Sequence, residues 1–240
     1  MTDTHTHILP AMDDGAASVE ESLKLLSALA LQGVNQVAAT PHFKPSTNES
    51  IDSFLARRNE SEALLRQAME GRTDLPQLHI GTEVTLSVEL SQFEGLEKLC
   101  YKNGNFLLIE LDPFTVGSWI PRALYDISNR LLLTPVIAHI DRYLGDDVSP
   151  KLIEEIMKLN CPVQFNGYAL AKFNKRRQLL KIMNRHPDTI FVVGSDCHNI
   201  HLRPPAMDVF EKKAMKHLGE DFFDEICENS RLMLTGELIT

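Results

Sequence analysis

The sequence has little of what a disulfide-rich, membrane-spanning or nucleic-acid-binding protein requires. Only four of its 240 residues are cysteines, Cys100, Cys161, Cys197 and Cys227, and no two of them form a Cys-x-x-Cys pair. Neither a disulfide framework nor a zinc ribbon is therefore predicted. No stretch approaches the ~18 uninterrupted apolar residues of a membrane helix, and no basic and apolar leader precedes Asp3. We expect a cytoplasmic protein with reduced thiols and no membrane insertion.

Positive charge is also scarce relative to negative charge. The 33 acidic and 24 basic residues give a net charge of -9, which disfavours nonspecific binding to the phosphate backbone of nucleic acid. The chain has no internal repeat, low-complexity run or linker rich in proline and glycine. With a hydrophobic share of 43%, its length fits one large α/β domain, which we predict over residues 1–240.

What the sequence does contain is an alternation of strand and helix patterns. After a first strand at the N-terminus, short apolar strands are predicted at residues 34–40, 78–83, 106–110, 134–139, 162–166 and 190–195. Helices are predicted between Ser18 and Gly33 and near residues 51–69, 120–131, 150–160 and 173–185. Seven strands in this order predict a parallel sheet with helical crossovers, and a closed or nearly closed barrel is its most economical form.

Residue types that bind metals occur at both ends of the chain, in Asp3-Thr4-His5-Thr6-His7 and in Ser195-Asp196-Cys197-His198. Strand side chains two residues apart share a face, so both imidazoles of the first motif can approach one ion. If the strands are as predicted, five histidines and four carboxylates converge on the catalytic face of the barrel, where the strands end: His5, His7, Asp14, His42, Glu83, Glu110, His139, Asp196 and His198.

These nine side chains exceed what a single ion requires. Imidazole and carboxylate without thiolate suit manganese, iron or zinc, and bridging by Glu83 or Glu110 would allow two or three cations. A buried Glu110 after Leu107-Leu108-Ile109 would be costly unless something binds it. We therefore expect metal-assisted hydrolysis. The four remaining histidines are assigned no metal role: His79, His186, His201 and His217.

In their order along the chain, seven motifs resemble those of the phosphatases of the PHP superfamily. They are His5-Thr6-His7-Ile8-Leu9-Pro10, Asp13-Asp14-Gly15, Ala39-Thr40-Pro41-His42, Gly81-Thr82-Glu83-Val84, Leu108-Ile109-Glu110, Ala138-His139-Ile140-Asp141-Arg142-Tyr143 and Ser195-Asp196-Cys197-His198-Asn199. The chain looks most like the bacterial manganese-dependent protein tyrosine phosphatases of the CpsB/YwqE type, found in capsule and exopolysaccharide loci. The match runs from about residue 3 to about residue 205.

The resemblance implies a fold, a cofactor and a substrate. The fold would be a distorted seven-stranded (β/α)7 barrel of the PHP type, similar to a TIM barrel, with a trinuclear manganese site on the nine residues above. Arg142 and Arg203 would hold the substrate phosphate, for which a planar guanidinium is well suited. We hypothesise that a metal-activated hydroxide attacks phosphorus. The expected partner is a phosphotyrosine protein resembling the tyrosine-rich tail of a bacterial autokinase that controls polysaccharide export.

Three departures from the family pattern leave every proposed ligand in place. Ala11 stands where the family usually has glycine, Ile140-Asp141 stands where it has Pro-Glu, and Cys197 stands where it has alanine. The change to Asp141 puts in question the role of the family's glutamate, for which orientation of the neighbouring Arg142 is one candidate.

Four other functions compete with this hypothesis. The segment from Cys197 to Arg203 has the spacing of cysteine-dependent tyrosine phosphatases, but it lacks the glycine that wraps a phosphate, and Asp196 would raise the pKa of the thiol. A small-molecule phosphatase, such as one for histidinol phosphate, would use the same metal site with a different pocket. An amidohydrolase would leave Glu83 and Glu110 unexplained. A non-catalytic metal-stabilised module would lack ligands, and none is missing.

The loops around the site would separate protein substrates from small ones. Lys44-Pro45 and the segment 112–119 are candidate rim loops, where Phe114 or Trp119 could stack on a phenol ring.

Overall fold

The chain alternates strands and helices, as the sequence predicted. A computed structural model describes residues 1–47, 49–102, 104–112, 114–145 and 148–237. The strands are β1 (Thr2–Thr6), β2 (Gln36–Ala39), β3 (His42–Phe43), β4 (Gln77–Ile80), β5 (Glu83–Thr85), β6 (Phe106–Glu110), β7 (Thr134–Ile137), β8 (Val163–Asn166) and β9 (Phe191–Gly194). The α-helices are α1 (Val19–Leu31), α2 (Ile51–Met69), α3 (Ile120–Leu131), α4 (Ile140–Tyr143), α5 (Pro150–Met157), α6 (Phe173–Arg185), α7 (Met207–His217) and α8 (Glu220–Thr235). Short 3-10 helices lie at Pro45–Thr47, Leu90–Gln92, Leu96–Leu99 and Gly167–Ala171.

Two parallel sheets replace the single seven-stranded barrel predicted from the sequence. In the described part of the chain, one sheet has the order β1-β2-β4 and the other the order β3-β5-β6-β7-β8-β9. Nine strands result because a further short strand, β3 or β5, follows a break near the end of the second and of the third predicted strand. Pro41, which has no N–H to donate to a ladder, separates β2 from β3. Gly81 lies between β4 and β5, where a Cβ would be 2.7 Å from the ring of Tyr101.

The interruptions transfer the ends of two strands to the second sheet. There, β3 pairs with β5 so that His42 lies opposite Glu83. Strands β3 and β5 pair in parallel and continue the course of β2 and β4. Their polar residues therefore still lie on the face that the sequence predicted. The α/β class is therefore confirmed, whereas the seven-stranded closed barrel is not.

The first and last strands lie side by side, although they are far apart in the sequence. The amide of Asp196 donates to the carbonyl of His5 at 2.8 Å, and the amide of His7 donates to the carbonyl of Cys197 at 2.9 Å. The hydroxyl of Thr4 donates to the carbonyl of Val193 at 2.8 Å. These bonds bring the two terminal motifs to the same place.

Local signals explain the helix boundaries that the sequence predicted. The Ser18 hydroxyl accepts a hydrogen bond from the Glu21 amide at the start of α1, as the capping pattern indicated. Helices α2, α3 and α6 occupy the predicted ranges, whereas α5 ends at Met157, before the predicted residue 160. The helices α4, α7 and α8 had no sequence prediction. None of the helices in the described residues is both long and apolar enough to cross a membrane.

Candidate metal centre

All nine predicted ligands lie together at the ends of the strands. Eight of them form three overlapping groups in which one nitrogen or oxygen atom per residue lies within 4.8 Å of the others: His7, Asp14, His42 and His198; His5, His7 and Asp196; His42, Glu83 and Glu110. The ninth, His139, joins them through its Nε2 atom, which is 2.7 Å from Glu83 Oε1. None of the other four histidines belongs to these groups in the part of the chain that the structure describes.

Glu83 occupies the middle of the cluster. Its Oε2 atom is 3.2 Å from His5 Nε2, 3.2 Å from His7 Nε2 and 3.1 Å from His42 Nδ1. The two Nε2 atoms of His5 and His7 are themselves 3.2 Å apart. Glu83 is only 1% exposed, so its carboxylate has almost no access to bulk water. Strand β5 thus presents one oxygen atom to three imidazoles at once.

The pKa values in this centre diverge because charges are packed in a buried space. Burial would raise the pKa of Glu83, but the charge of His5 and hydrogen bonding from His139 outweigh it and hold that pKa well below its usual range. Burial and the charge of His7 lower the pKa of His42 to about 4. Burial, His7 and Arg203 lower the pKa of His198 to about 4 as well. His42 and His198 are therefore neutral near pH 7, which is the form that binds a metal.

The unpaired polar atoms of the cluster fit bound cations. Glu83 Oε2 and His42 Nδ1 are buried, and neither has a hydrogen-bond partner among the described residues despite their short separation. Buried polar atoms left unpaired are destabilising, and a cation between them would relieve that cost. The donor set contains imidazole nitrogen and carboxylate oxygen without thiolate, which suits manganese, iron or zinc.

Three histidines are held in one tautomer by hydrogen-bond acceptors at their Nδ1 atoms. The Nδ1 atom of His5 lies 3.2 Å from Gln164 Oε1, that of His7 lies 2.7 Å from Asp13 Oδ2, and that of His198 lies 3.0 Å from the carbonyl of Asp196. Each partner can only accept, so each Nδ1 atom carries the proton. The three Nε2 atoms therefore direct lone pairs at the site.

Sequence reasoning missed the roles of Asp13 and Gln164. Asp13 also accepts from the amides of Gly15 at 3.0 Å and His42 at 3.0 Å, and it thereby joins the loop after β1 to β3. Gln164 also accepts from the amide of His139 at 2.6 Å. A signal was present for Gln164, since a long polar side chain in the middle of an apolar strand requires buried partners.

Arg142 and Arg203 converge on one carboxylate of the cluster. Arg142 Nη2 donates to Asp196 Oδ2, and Arg203 Nη2 donates to the same oxygen at 2.7 Å. Arg203 Nη1 is also 2.7 Å from His198 Nε2. Both arginine side chains remain more than a third exposed, so they are accessible from outside the cluster. Two guanidinium groups at the mouth of a cation site can grip an anion there.

Two ligand positions adopt left-handed backbone conformations. His139 has φ 31° and Asp196 has φ 55°, values that non-glycine residues rarely adopt. The turn at His139 begins α4, which carries Arg142. Asp141 Oδ1 accepts from the amide of Asn166 at 2.8 Å, so it ties α4 to β8, and its contribution to the position of Arg142 is through the backbone.

Cys197 is placed unfavourably for a nucleophile. It is 0% exposed, and burial together with the charge of Asp3 raises the pKa of its thiol far above the usual range. A thiol of this kind stays protonated and inert. The geometry therefore disfavours the cysteine-dependent reaction.

A cavity of about 710 Å³ opens beside the two arginines. It is lined by Asp141, Arg142, Asn166, Tyr168, Ala169, Lys172, Lys175, Ser195, Asp196, Leu202, Arg203, Pro204, Pro205, Ala206 and Val209. The predicted rim residues Lys44, Pro45, Phe114 and Trp119 do not line it. Trp119 instead closes its own loop, because its Nε1 donates to the carbonyl of Thr115 at 3.0 Å. Around the metal centre the rim assignment stays a prediction, and the charge of Lys44 does act on His42 and Glu110 there.

Comparison with known proteins gives similarities over nearly the whole chain. The family described as "Capsular polysaccharide synthesis, CpsB/CapC" matches residues 1–235. Tyrosine-protein phosphatase CpsB of Streptococcus pneumoniae is 31% identical over 252 aligned positions, which cover 100% of both chains. Tyrosine-protein phosphatase YwqE of Bacillus subtilis is 28% identical, and the alignment covers 100% of this chain and 93% of YwqE.

Solved structures show the same similarity in three dimensions. A structure from the work on YwqE of B. subtilis and CpsB of S. pneumoniae, described as unique metal-dependent tyrosine phosphatases, matches with a TM-score of 0.82 and 25% identity, covering 100% of this chain and 96% of the other. A histidinol phosphate phosphatase from Lactococcus lactis, complexed with zinc, L-histidinol and phosphate, matches with a TM-score of 0.59. At 12% identity, over 91% of this chain and 93% of that one, this second match concerns the fold alone.

Proposed function

Because the chain belongs to the CpsB/CapC family of capsular polysaccharide synthesis, we propose that it is a metal-dependent tyrosine phosphatase acting on phosphotyrosine proteins. The observation that carries the proposal is the meeting of Arg142 and Arg203 at Asp196, on the edge of the cluster of nine ligand residues. A cation site alone could serve many functions. A cation site flanked by two guanidinium groups is suited to a phosphate ester.

The nine clustered side chains would hold two or three divalent cations, with Mn²⁺ as the proposed metal: His5, His7, Asp14, His42, Glu83, Glu110, His139, Asp196 and His198. When bound, these cations supply Lewis acidity toward the phosphoryl oxygens and a water of lowered pKa as nucleophile. Asp13 and Gln164, which hold the Nδ1 atoms of His7 and His5, would leave the Nε2 atoms of both rings free to bind the cations.

The two arginines would position the substrate. Each guanidinium can donate two parallel N–H groups to oxygens of the phosphoryl group, and each stays charged throughout the reaction. Their partial exposure leaves them open to a substrate that enters through the cavity. The leaving group of phosphotyrosine is a phenol with a pKa near ~10, so it needs less protonation than an alkyl alcohol would.

We further propose that the physiological substrate is a bacterial tyrosine autokinase of polysaccharide biosynthesis. The family description places related proteins in capsular polysaccharide synthesis, and the relatives CpsB and YwqE are tyrosine-protein phosphatases. An autokinase that acts in the same process would supply phosphotyrosine residues for removal.

A side-by-side assay tests the proposed reaction. The purified protein is loaded with Mn²⁺ and given a phosphotyrosine peptide or histidinol phosphate, and a parallel sample is treated with chelator. We expect hydrolysis of the phosphotyrosine peptide that chelator abolishes and Mn²⁺ restores. A strong preference for histidinol phosphate would refute the tyrosine phosphatase assignment.

Arginine variants test whether Arg142 and Arg203 bind the substrate phosphate. Arg142→Ala and Arg203→Ala should each lower kcat/KM for the phosphotyrosine peptide by about 10²–10³-fold, because a donor to the charged phosphoryl group is lost. The matched control is Arg122→Ala, which removes an exposed arginine that pairs with Asp126 on α3. The phosphate-binding role is wrong if the three variants have equal kcat/KM values.

A further inference from the structure

The cavity beside the candidate active site has a charged side next to the metal centre, called the floor here, and more exposed residues around it, called the rim. Arg142, Arg203 and the 4% exposed Asp196 form the floor. Tyr168 and Leu202 belong to the rim, where they are 49% and 88% exposed. A phosphoryl group bound at the floor would therefore direct the rest of the substrate outward, between the 3-10 helix that carries Tyr168 and the segment that carries Leu202.

The Tyr168 side of the cavity continues into a strongly basic surface. Helix α6 contains five basic residues and no acidic residue, and Lys172 directly precedes it. Lys172 Nζ lies 5.2 Å from the centroid of the Tyr168 ring, at the rim of the cavity. Within the described residues, no carboxylate forms an ion pair with Lys172, Lys175 or Arg177. Lys172 and Lys175, which both line the cavity, thus keep their positive charge without a carboxylate partner in the described part of the chain, although the chain as a whole carries a net charge of -9.

We propose that this cavity, together with Lys172 and the adjoining face of α6, binds the residues that flank the phosphotyrosine, and that it selects peptides with acidic flanks. The proposal rests on the proposed function, because the phosphoryl group must be anchored at Arg142 and Arg203. The phenol ring would then pass between Tyr168 and Leu202, which offer it apolar surface. The carboxylates of the flanking residues would face Lys172 and the basic side chains beyond it.

Shape and position favour a peptide over a membrane surface. The basic residues nearest the floor line a concave cavity, which a polypeptide segment can enter and a flat lipid surface cannot. The charge also lies immediately next to the phosphate-binding arginines. Lys172 is thus a specificity-determining residue outside the reaction itself, and its loss should affect only substrates long enough to reach it.

The test uses three substrates of one enzyme preparation loaded with Mn²⁺. The first is p-nitrophenyl phosphate, which ends at the ring. The other two are phosphotyrosine peptides of equal length that differ only in having glutamate or glutamine at the flanking positions. At low ionic strength, kcat/KM should be about tenfold higher for the glutamate peptide, and the difference should shrink at high salt.

Charge variants then assign the preference to the rim. Lys172→Glu should abolish the preference for the glutamate peptide, Lys172→Gln should reduce it about threefold, and both should change kcat/KM for p-nitrophenyl phosphate much less than kcat/KM for the glutamate peptide. The control is Lys158→Glu, at the end of α5, which removes an exposed lysine that does not line the cavity. Circular dichroism and thermal unfolding verify that each variant is folded.

The outcomes separate the inference from the proposed function. Failure of the wild-type protein to hydrolyse any of the three substrates would overturn the proposed function. Hydrolysis of both peptides at equal rates would overturn the inference alone, and so would equal effects of Lys172→Glu and Lys158→Glu. The inference is also wrong if Lys172→Glu keeps the peptide preference but loses binding to vesicles containing anionic phospholipid.

Discussion

Replacing Gln164 with methionine should weaken metal binding although no proposed metal ligand is removed. Gln164 is 0% exposed, and its Oε1 atom accepts from the His139 amide at 2.6 Å and from His5 Nδ1 at 3.2 Å. Methionine has nearly the same length, but its sulfur is a weak acceptor. The substitution therefore leaves two buried donors without a partner and allows the His5 ring to change its tautomer.

The two buried donors left without a partner set the size of the effect. Each unpaired buried donor costs about 1–3 kcal/mol, so the free energy of unfolding of the metal-free protein should fall by about 2–6 kcal/mol. Loss of an outer hydrogen bond to a metal-binding histidine lowers metal affinity by about 10–100-fold, which corresponds to about 1.4–2.8 kcal/mol. Gln164→Glu retains an acceptor at this position, and its loss of metal affinity should be smaller than that of Gln164→Met.

Two measurements separate these effects. Urea unfolding in the presence of chelator gives the stability of the metal-free protein, and isothermal titration with Mn²⁺ at a temperature where all variants are folded gives the affinity. If Gln164→Met binds Mn²⁺ as tightly as the wild-type protein, the proposed orientation of His5 by Gln164 is refuted. If Gln164→Glu and Gln164→Met are equally impaired, the loss comes from packing and not from the acceptor.

Three further predictions concern the same region. Cys197→Ser should retain phosphatase activity, and complete loss in a folded variant would contradict the metal-dependent reaction. Gly194→Ala should lower both stability and Mn²⁺ affinity, because the new Cβ would lie 2.6 Å from His5 Cβ. Thermal unfolding and titration with Mn²⁺ would measure the two effects, and an unchanged variant would exclude the close approach. Burial raises the pKa of Asp3 from 3.8 to about 6, so the protonated form of Asp3 is favoured in the folded protein. Its contribution to the free energy of unfolding, about 3 kcal/mol, is complete below pH ~4 and should be lost as the pH rises through ~6. Urea unfolding of Asp3→Asn with chelator between pH 4 and 7 should lack this part of the pH dependence. If the unfolding free energy of the variant depends on pH as that of the wild-type protein does, the effect belongs to other groups.

The parts of the molecule that depend on neighbouring residues could be predicted from the sequence. Helices α2, α3 and α6 follow their predicted ranges because helix-forming residues and terminal signals lie within each segment. The clustering of the nine predicted residues could be anticipated because most of them lie at or near the end of a short apolar strand, and parallel strands end at a common face. The resemblance to the CpsB/YwqE type is confirmed by the family match. The roles of the nine ligands and two arginines, and the single domain over residues 1–240, stay predictions.

The parts that depend on distant residues could not be predicted. The break at Gly81 reflects the approach of Tyr101, and the role of Gln164 depends on His5, which is 159 residues away. The cavity was missed for the same reason. Tyr168 becomes a neighbour of Arg203 only through the packing of the last third of the chain, whereas the predicted rim residue Trp119 hydrogen-bonds within its own loop.

The pairing of β1 with the segment after β9 has a consequence for biosynthesis. His5 and His7 leave the ribosome first, and their neighbours Asp196 and His198 follow about 190 residues later. Contacts between such distant segments form slowly, because a long loop must close before they yield any stabilisation. A nascent chain that stops before residue 196 would lack a complete set of ligands. High-affinity uptake of metal should therefore report that the chain has been synthesised past His198 and that its two distant segments have paired.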